Sequence, residues 1–175
     1  MTRLDAGKGT VTTMKLVAVL EKNGEYFGEA VSRTLGRCDG VLVLGTSRVT
    51  DISSRRCDLI VVSPGYARSA DTCKKLSCGT LLTPDGLFFS PPGAGIVVTY
   101  GMSPQSTFTL SSLGTERCLM TIRRDIVTAS GRVVEEQELS VAASGDADTT
   151  LAAAGGRILL GLSAHPQSYI SNNTV

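Results

Sequence analysis

Residues 16–45, LVAVLEKNGEYFGEAVSRTLGRCDGVLVLG, decide the fold of the chain. The stretch begins with residues 16–20, a short apolar run that is typical of a buried parallel strand. Residues 25–35 then carry apolar side chains at near-helical spacing and meet Gly36, which predicts a helix with a glycine stop. Residues 41–44 are a second apolar run. A strand, a helix and a strand at this spacing indicate a crossover unit in a parallel sheet.

The rest of the chain extends this sheet and then changes to antiparallel strands. Residues 59–62 are a third apolar run, and residues 96–100 form a strand that meets a glycine. From residue 107 onward, β-branched residues alternate around a turn at 128–131, as in a meander. Residues 149–162 are rich in Ala, Gly and Leu, which predicts a buried helix. We therefore predict an α/β fold: a Rossmann-like, mostly parallel sheet in the N-terminal half, followed by an antiparallel β-meander and a buried Ala-rich helix.

Length, charge and cysteine content indicate one globular domain in the cytoplasm. The 175 residues suit a single core, which we place at residues 14–163, between a flexible leader (1–13) and a polar tail (164–175). No apolar run reaches the roughly 18 residues of a membrane span, and the N-terminus is no signal peptide. The five cysteines fit reduced thiols. Seventeen basic and sixteen acidic residues give a net charge of +1, which argues against nucleic-acid partners.

A candidate ligand site follows from the parallel strands. In an open parallel sheet, ligands gather beyond the carboxyl ends of the strands. Small residues and hydroxyls follow the second and third strands here, so backbone N–H groups could approach an anion, and one arginine would add a positive charge. The alternative is that these residues only form tight loops. The predicted ligand-binding residues are Gly45, Thr46, Ser47, Ser63, Gly65 and Arg68.

Residues suited to catalysis or metal binding are sparse. The only histidine, His165, lies in the tail, so we expect neither Ser–His–Asp nor Cys–His catalysis. Cys73 and Cys78 do not have the usual spacing of a structural zinc site. The acidic stretch at 135–138 is more typical of a solvated strand face than of a cation site. We therefore predict no catalytic residue and no metal ligand.

A second interpretation concerns the segment before the first strand. The sequence GKGT, which contains Gly7, Lys8 and Thr10, would begin a phosphate loop that runs into a helix over residues 11–20. Lys8 would contact the terminal phosphates and Thr10 would lie near a magnesium ion, so ATP and Mg²⁺ would be the cofactors. The same residues cannot also form the first strand. We favour the strand, because residues 16–20 are continuously apolar rather than amphipathic, and we expect no cofactor.

Three segments resemble the central domain of the Mur ligase and folylpolyglutamate synthase superfamily. Residues 7–11 and 20–24 are similar to the nucleotide loop and following helix of that family. Residues 97–101, VVTYG, resemble the strand and Tyr-Gly step that opens its late β-meander, and residues 149–161 resemble its buried Ala-rich helix. The order of the segments agrees. The resemblance implies the fold, and in complete members it implies ligation that needs ATP and magnesium.

Departures from the family pattern fall on its chemical positions. In the family, an Asn-containing signature with a preceding His-Asn pair leads into the Ala-rich helix. The matching positions here are Gly145, Asp146 and Thr149, so those Asn and His side chains are lost. The acidic and histidine residues that the family uses for metal and substrate have no counterpart between residues 41 and 80. The two domains that flank the central domain in the family have no counterpart in this sequence either. We therefore expect a non-catalytic Rossmann-like domain that binds a small ligand or a partner protein. The alternatives are an ATP-binding amide ligase, cut down or a fragment, and an assembly subunit whose meander edge pairs with another copy.

Overall fold

The computed structural model describes residues 14–69, 76–86 and 91–163, which form three α-helices and ten strands. The strands are β1 (Lys15–Leu20), β2 (Val41–Thr46), β3 (Arg56–Val62), β4 (Ser77–Pro84), β5 (Ala94–Tyr100), β6 (Phe108–Ser112), β7 (Arg117–Ile122), β8 (Ile126–Val127), β9 (Val133–Val134) and β10 (Gln137–Ala142). The helices are α1 (Phe27–Leu35), α2 (Pro64–Ser69) and α3 (Ala147–Leu159), with a 3₁₀ turn at Val49–Asp51.

Eight of the strands form one sheet in the order β10-β7-β6-β5-β4-β3-β1-β2. The strands from β2 to β6 in this order are parallel, and β6, β7 and β10 pair antiparallel. β8 and β9 form a separate antiparallel hairpin. The predicted fold is therefore confirmed: a mostly parallel sheet is continued by an antiparallel meander, and the Ala-rich helix follows last.

The first strand settles which interpretation of residues 15–20 is correct. Lys15–Leu20 is a strand, and its last four residues are fully buried. The helix over residues 11–20 that the phosphate-loop interpretation requires is therefore wrong from residue 15 onward. Gly7, Lys8 and Thr10, like the predicted leader and tail, lie outside the described residues.

Both faces of the parallel part of the sheet are covered, which explains why its strands are continuous apolar runs. On one face, Val17 and Leu59 join a core cluster that includes residues of α1 and α3. On the other face, Ala18 and Ile60 join a cluster that includes residues of α2 and the 3₁₀ turn. No helix in the described part of the chain has the length and apolar composition to cross a membrane.

α3 is the centre of the larger core cluster. Asp146 precedes the helix, and its carboxylate accepts a hydrogen bond of 2.8 Å from the Thr149 backbone N–H. Every residue from Thr149 to Leu159 is buried, as the sequence predicted. The absence of a side chain at Gly155 lets the helix lie against the ring of Phe108, since a Cβ built at this position would be 2.7 Å from the ring.

Some predicted boundaries were wrong. The predicted helix over residues 25–35 begins only at Phe27, because Tyr26 adopts a left-handed conformation with φ of 56°. In the meander predicted from residue 107 onward, the strand segments before and after the turn at 128–131 are each interrupted, giving the pairs β7/β8 and β9/β10. α2 was missed, because Pro64 follows Ser63 as in a turn, although proline is also favoured in the first turn of a helix.

Two buried cysteines face each other across β3 and β4. Cys57 and Cys78 are register partners, with exposed fractions of 1% and 5%. Burial raises the pKa of both thiols, and that of Cys78 reaches about 11. Cys38, Cys57, Cys78 and Cys118 form no disulfide in the described part of the chain.

We expect the Cys78 thiol to make the protein less stable at alkaline pH. An unfolded cysteine ionises at a pH of about 8.5, whereas folded Cys78 ionises at about 11. The stabilisation from the neutral buried thiol is therefore complete below the unfolded pKa and is lost as pH rises towards the folded pKa, by up to about 3 kcal/mol. Urea unfolding at several pH values would measure this loss, and Cys78→Ala should lose less than the natural chain. Equal losses in both proteins would contradict the prediction.

Candidate functional site at the carboxyl ends of the parallel strands

The predicted ligand site lies where β1, β2 and β3 end. Leu20 of β1 is in register with Thr46 of β2 on one side and with Val62 of β3 on the other. The backbone bonds continue beyond the strands: Glu21 N–H donates to the Thr46 carbonyl over 3.1 Å, and Ser63 N–H donates to the Leu20 carbonyl over 2.8 Å. The loops after these three strands therefore start at the same edge of the sheet.

The carboxylate of Glu25 occupies the space between the loops after β1 and β3. Its Oε2 accepts a 2.8 Å hydrogen bond from the Lys22 backbone N–H and a second one from the hydroxyl of Ser63. Its Oε1 lies beside Gly65, where an added Cβ would be only 1.8 Å away. Glu25 thus fills the position that an external anion would need in order to reach these donors.

A second carboxylate from the same loop binds the start of α1. Glu21 Oε2 accepts a 2.7 Å hydrogen bond from the Gly28 backbone N–H. The residue before the helix, Tyr26, makes no side-chain cap, so the Glu21 carboxylate takes over that role. A negative charge is favourable there, because unsatisfied N–H groups give a helix N-terminus a partial positive charge. A Cβ at Gly28 would be 2.5 Å from the carboxylate, so only glycine leaves room for it.

Ser63 and Gly65 are brought together, as predicted, but around the chain's own glutamate. The Ser63 side chain is fully buried. Besides donating to Glu25, its oxygen accepts a 3.1 Å hydrogen bond from the Tyr66 backbone N–H. The Ser63 hydroxyl therefore acts both as a donor and as an acceptor, and its bond to Tyr66 stabilises the first turn of α2.

The predicted residues after β2 lie one strand further along the edge. β1 separates β2 from β3, so Thr46 and Ser63 are about 10 Å apart at the level of the sheet. The Thr46 hydroxyl donates to Asp51 over 2.5 Å and accepts from the Arg48 N–H over 3.1 Å. The hydrogen bond from Thr46 is the main reason why the pKa of Asp51 is lowered. Thr46 thus holds together the loop that it begins.

The neighbours of Thr46 are Gly45, which pairs with Val19 of β1, and Ser47, whose hydroxyl makes no hydrogen bond in the described structure. Gly45 is exposed, and an added Cβ there would meet no atom within 4 Å. Ser47 is half-buried. The three residues therefore form the end of β2 and the start of the loop after it, and the structure does not join them to Ser63 and Gly65 in one site.

Arg68 lines a cavity on the other side of β3. This cavity, of about 310 Å³, lies beyond the ends of β4 and β5 and is bordered by α2 and the start of α3. Asp85, Tyr100, Ser103 and Asp148 also line it. Arg68 is exposed and contributes the only positive charge among the described lining residues.

The acidic groups of this cavity are held in different ways. Asp85 Oδ2 accepts a 3.2 Å hydrogen bond from the Ser106 hydroxyl. Asp148 is half-buried, and burial is the main cause that raises its pKa. The negative charge of Asp146 adds to this rise, and Arg68 opposes it. Arg68 therefore faces acidic groups rather than the loop after β2.

Tyr100 forms the floor of the same cavity. Its side chain is fully buried, and its hydroxyl donates a 2.6 Å hydrogen bond to the Val62 carbonyl at the end of β3. Burial raises the pKa of this phenol, and the negative charges of Asp148, Glu25 and Asp146 raise it further. The Tyr100 phenol therefore keeps its proton. Its hydrogen bond connects the end of β5 to the end of β3.

Sequence reasoning missed the acidic residues of this edge. Glu21 and Glu25 flank the Asn23–Gly24 turn directly after a predicted strand, and Asp85 stands in a turn signal, TPDG, at residues 83–86. These positions were available as signals, but only the fold shows which donors the carboxylates reach. No cluster of three or more His, Cys, Asp or Glu side chains suited to a metal ion is found in the described part of the chain.

Comparison with known proteins gives no assignment: no model of a known protein family matches the chain, and no curated protein sequence matches it either.

Proposed function

We propose that this chain is a non-catalytic Rossmann-like domain, related to the Mur ligase core, that binds a small ligand at the carboxyl edge of its sheet. The observation that carries the proposal is the Glu25 carboxylate, which accepts hydrogen bonds from the Lys22 N–H and the Ser63 hydroxyl. Backbone N–H groups at this edge are the usual donors to nucleotide phosphates in open α/β sheets. A carboxylate that occupies them repels phosphate and blocks its access.

The relation to the Mur ligase core is supported by the order of the elements. The parallel strands come first, β5 ends at Tyr100 and Gly101, the antiparallel strands follow, and the buried helix α3 comes last. This is the order that the resemblance of residues 97–101 and 149–161 requires. The use of Glu21 and Glu25 as structural hydrogen-bond acceptors supports a domain that keeps the architecture without the ligase chemistry.

The cavity lined by Arg68 supports a ligand of mixed charge. A guanidinium prefers a carboxylate, which it can bind through two parallel hydrogen bonds. Asp85 and Asp148 line the same cavity, and their carboxylates would accept hydrogen bonds from an ammonium group. A volume of about 310 Å³ suits a small molecule. The ligand class that fits is therefore a zwitterion of the size of an amino acid, free or at the end of a partner's chain.

Titration with ATP and Mg²⁺ tests the non-catalytic part of the proposal. All assigned backbone amide signals would be followed by NMR in the full chain and in Lys8→Ala, and those of residues 21–26 and 63–68 would report on the carboxyl edge of the sheet. We expect no shift of these signals in either protein. Shifts in the full chain that Lys8→Ala abolishes would overturn the proposal in favour of the ATP-binding ligase alternative.

Titration with free L-amino acids tests the ligand class. We expect at least one of them to shift the amide signals of Gly101 and Ser103, and Arg68→Gln to weaken its binding about tenfold through loss of a charge-assisted pair. Arg56→Gln removes the same charge at the opposite end of β3, where it should have no effect. The proposed ligand class is wrong if no amino acid binds, or if both substitutions weaken binding equally.

A further inference from the structure

A second cavity lies away from the strand ends, between α1, α3 and the chain that leads from β10 into α3. Its volume is about 460 Å³, within the usual range for small-molecule sites. Arg33 and Arg37 line it from α1 and its C-terminal end, and Arg157 lines it from α3. The described lining residues include no aspartate or glutamate, so the wall carries three positive charges.

Arg157 is fixed in this wall. Its side chain is only 5% exposed. Its Nε–H donates to the Ser163 carbonyl over 2.7 Å, and its Nη1–H groups donate to the Thr34 carbonyl over 3.3 Å and to Cys38 Sγ over 2.9 Å. These bonds tie the guanidinium to the end of α1 and to the chain beyond α3. The positive charge is therefore held in position before any ligand arrives.

The other two arginines differ in how much of their charge is compensated. Arg33 forms an ion pair of 2.6 Å with Glu29, one turn earlier in α1. Arg37 is exposed and makes no hydrogen bond or ion pair within the described ranges. Arg37 can therefore contact a ligand without giving up a structural interaction.

The remaining wall combines small apolar side chains with polar ones. Ala30 and Ala154 lie on the helices, Ala142 and Ala143 lie at the end of β10, and Ser144 follows them. Alanines present an apolar surface while leaving the cavity open. We propose that this cavity binds a small organic anion, with its phosphate or carboxylate group on the arginines and its apolar body against the alanines. Arginine is the side chain best suited to both groups, because its planar guanidinium matches them with two parallel hydrogen bonds.

The test uses three small aromatic probes of matched shape: phenyl phosphate, benzoate and the uncharged benzamide. NMR titration of the full chain should show the two anions shifting the backbone amides of Ser144 and Gly145 and the Nε–H signals of Arg37 and Arg157. Benzamide should not shift them. Phenyl phosphate binding alone would assign the site to phosphate esters, and benzoate binding alone would assign it to carboxylates; both results support an anion site.

Three exposed residues allow the charges to be tested without disturbing the core. Arg37→Gln should raise the Kd of the bound anion about tenfold, as expected for loss of one charge-assisted pair. Glu29→Gln should lower it about twofold, because it releases Arg33 from its ion pair. Arg123→Gln, directly after β7, removes the same charge at the end of the β7–β10 pair opposite to Ala142 of the cavity and should change nothing.

Three outcomes would overturn the anion site. The first is that neither anion shifts the signals of the cavity. The second is that benzamide binds as well as benzoate, since recognition would then not depend on charge. The third is that Arg37→Gln and Arg123→Gln weaken binding equally, since the effect would then be that of net charge alone.

Discussion

Replacing Gly155 with alanine is expected to destabilise the protein by about 2 kcal/mol, the middle of the range for overpacking a core. A Cβ at this position would lie 2.7 Å and 2.8 Å from two ring carbons of Phe108, which is fully buried. The ring cannot move away, because Phe108 belongs to β6 and packs in the main core cluster. The overpacking outweighs the preference of alanine over glycine inside a helix, which amounts to about 1 kcal/mol in the opposite direction.

The neighbouring residue provides the control. A Cβ at Gly156 would meet two carbons of Leu35 at 3.4 Å and 3.5 Å and one of Leu59 at 3.6 Å, which are ordinary contact distances. Gly156→Ala should therefore stabilise the protein, by up to about 1 kcal/mol, through its helix propensity alone. Urea unfolding of both variants measures the difference. A Gly155→Ala variant as stable as the natural chain would show that α3 does not press against β6 as described.

The contrast between Gly155 and Gly156 shows which features of the core could be predicted from the sequence and which could not. The Ala- and Gly-rich composition of residues 149–162 predicted a buried helix, because such a helix has no polar face. The composition does not show which glycine faces an aromatic ring. That depends on how α3 is rotated above the sheet, and its partner Phe108 lies far away in the sequence.

The strand ends show a similar limit. The pattern of apolar runs placed Ser63 and Gly65 at the carboxyl edge of the sheet, because parallel strands end at the same edge. It assigned them to an external ligand, since small residues and hydroxyls also surround anions in binding sites. Only the structure reveals that Glu25, 38 residues before Ser63 in the chain, reaches the same hydroxyl.

Arg68 was placed at the correct edge but with the wrong neighbours. Sequence order associated it with the loop that follows β2, because both follow predicted strands. The order of strands in the sheet decides otherwise: β4 and β5 lie beside β3 on one side, and β1 and β2 lie on the other. Strand order depends on long-range pairing, which apolar periodicity does not encode. Arg68 therefore lines a cavity with Asp85 and Asp148.

Glu25→Ala is expected to destabilise the protein by about 1–2 kcal/mol, because the Lys22 N–H and the Ser63 hydroxyl lose their acceptor. Gly65→Ala should have nearly the same effect. The backbone of Gly65 is not left-handed, so alanine is allowed there, but its Cβ would displace the Glu25 carboxylate from the same donors. The two substitutions thus remove one interaction in two ways.

The double variant Glu25→Ala, Gly65→Ala tests this shared cause. Because the second substitution has nothing left to displace, the double variant should lose no more stability than either single variant. Unfolding free energies of the four proteins give the coupling directly. If the losses simply add, the Glu25 carboxylate does not occupy the space beside Gly65, and the observation that carries the proposed function fails.

The same substitution should also change what this edge of the sheet binds. In Glu25→Ala, the Lys22 N–H and the Ser63 hydroxyl are free to donate hydrogen bonds to an anion, and the negative charge that repels it is gone. We expect inorganic phosphate to shift the Lys22 and Tyr66 amide signals in this variant and not in the natural chain. Arg37→Gln in both proteins removes interference from the second cavity. Phosphate binding at Lys22 in the natural chain would mean that Glu25 leaves the donors readily, and the edge would then be a true phosphate site rather than one filled by the chain itself.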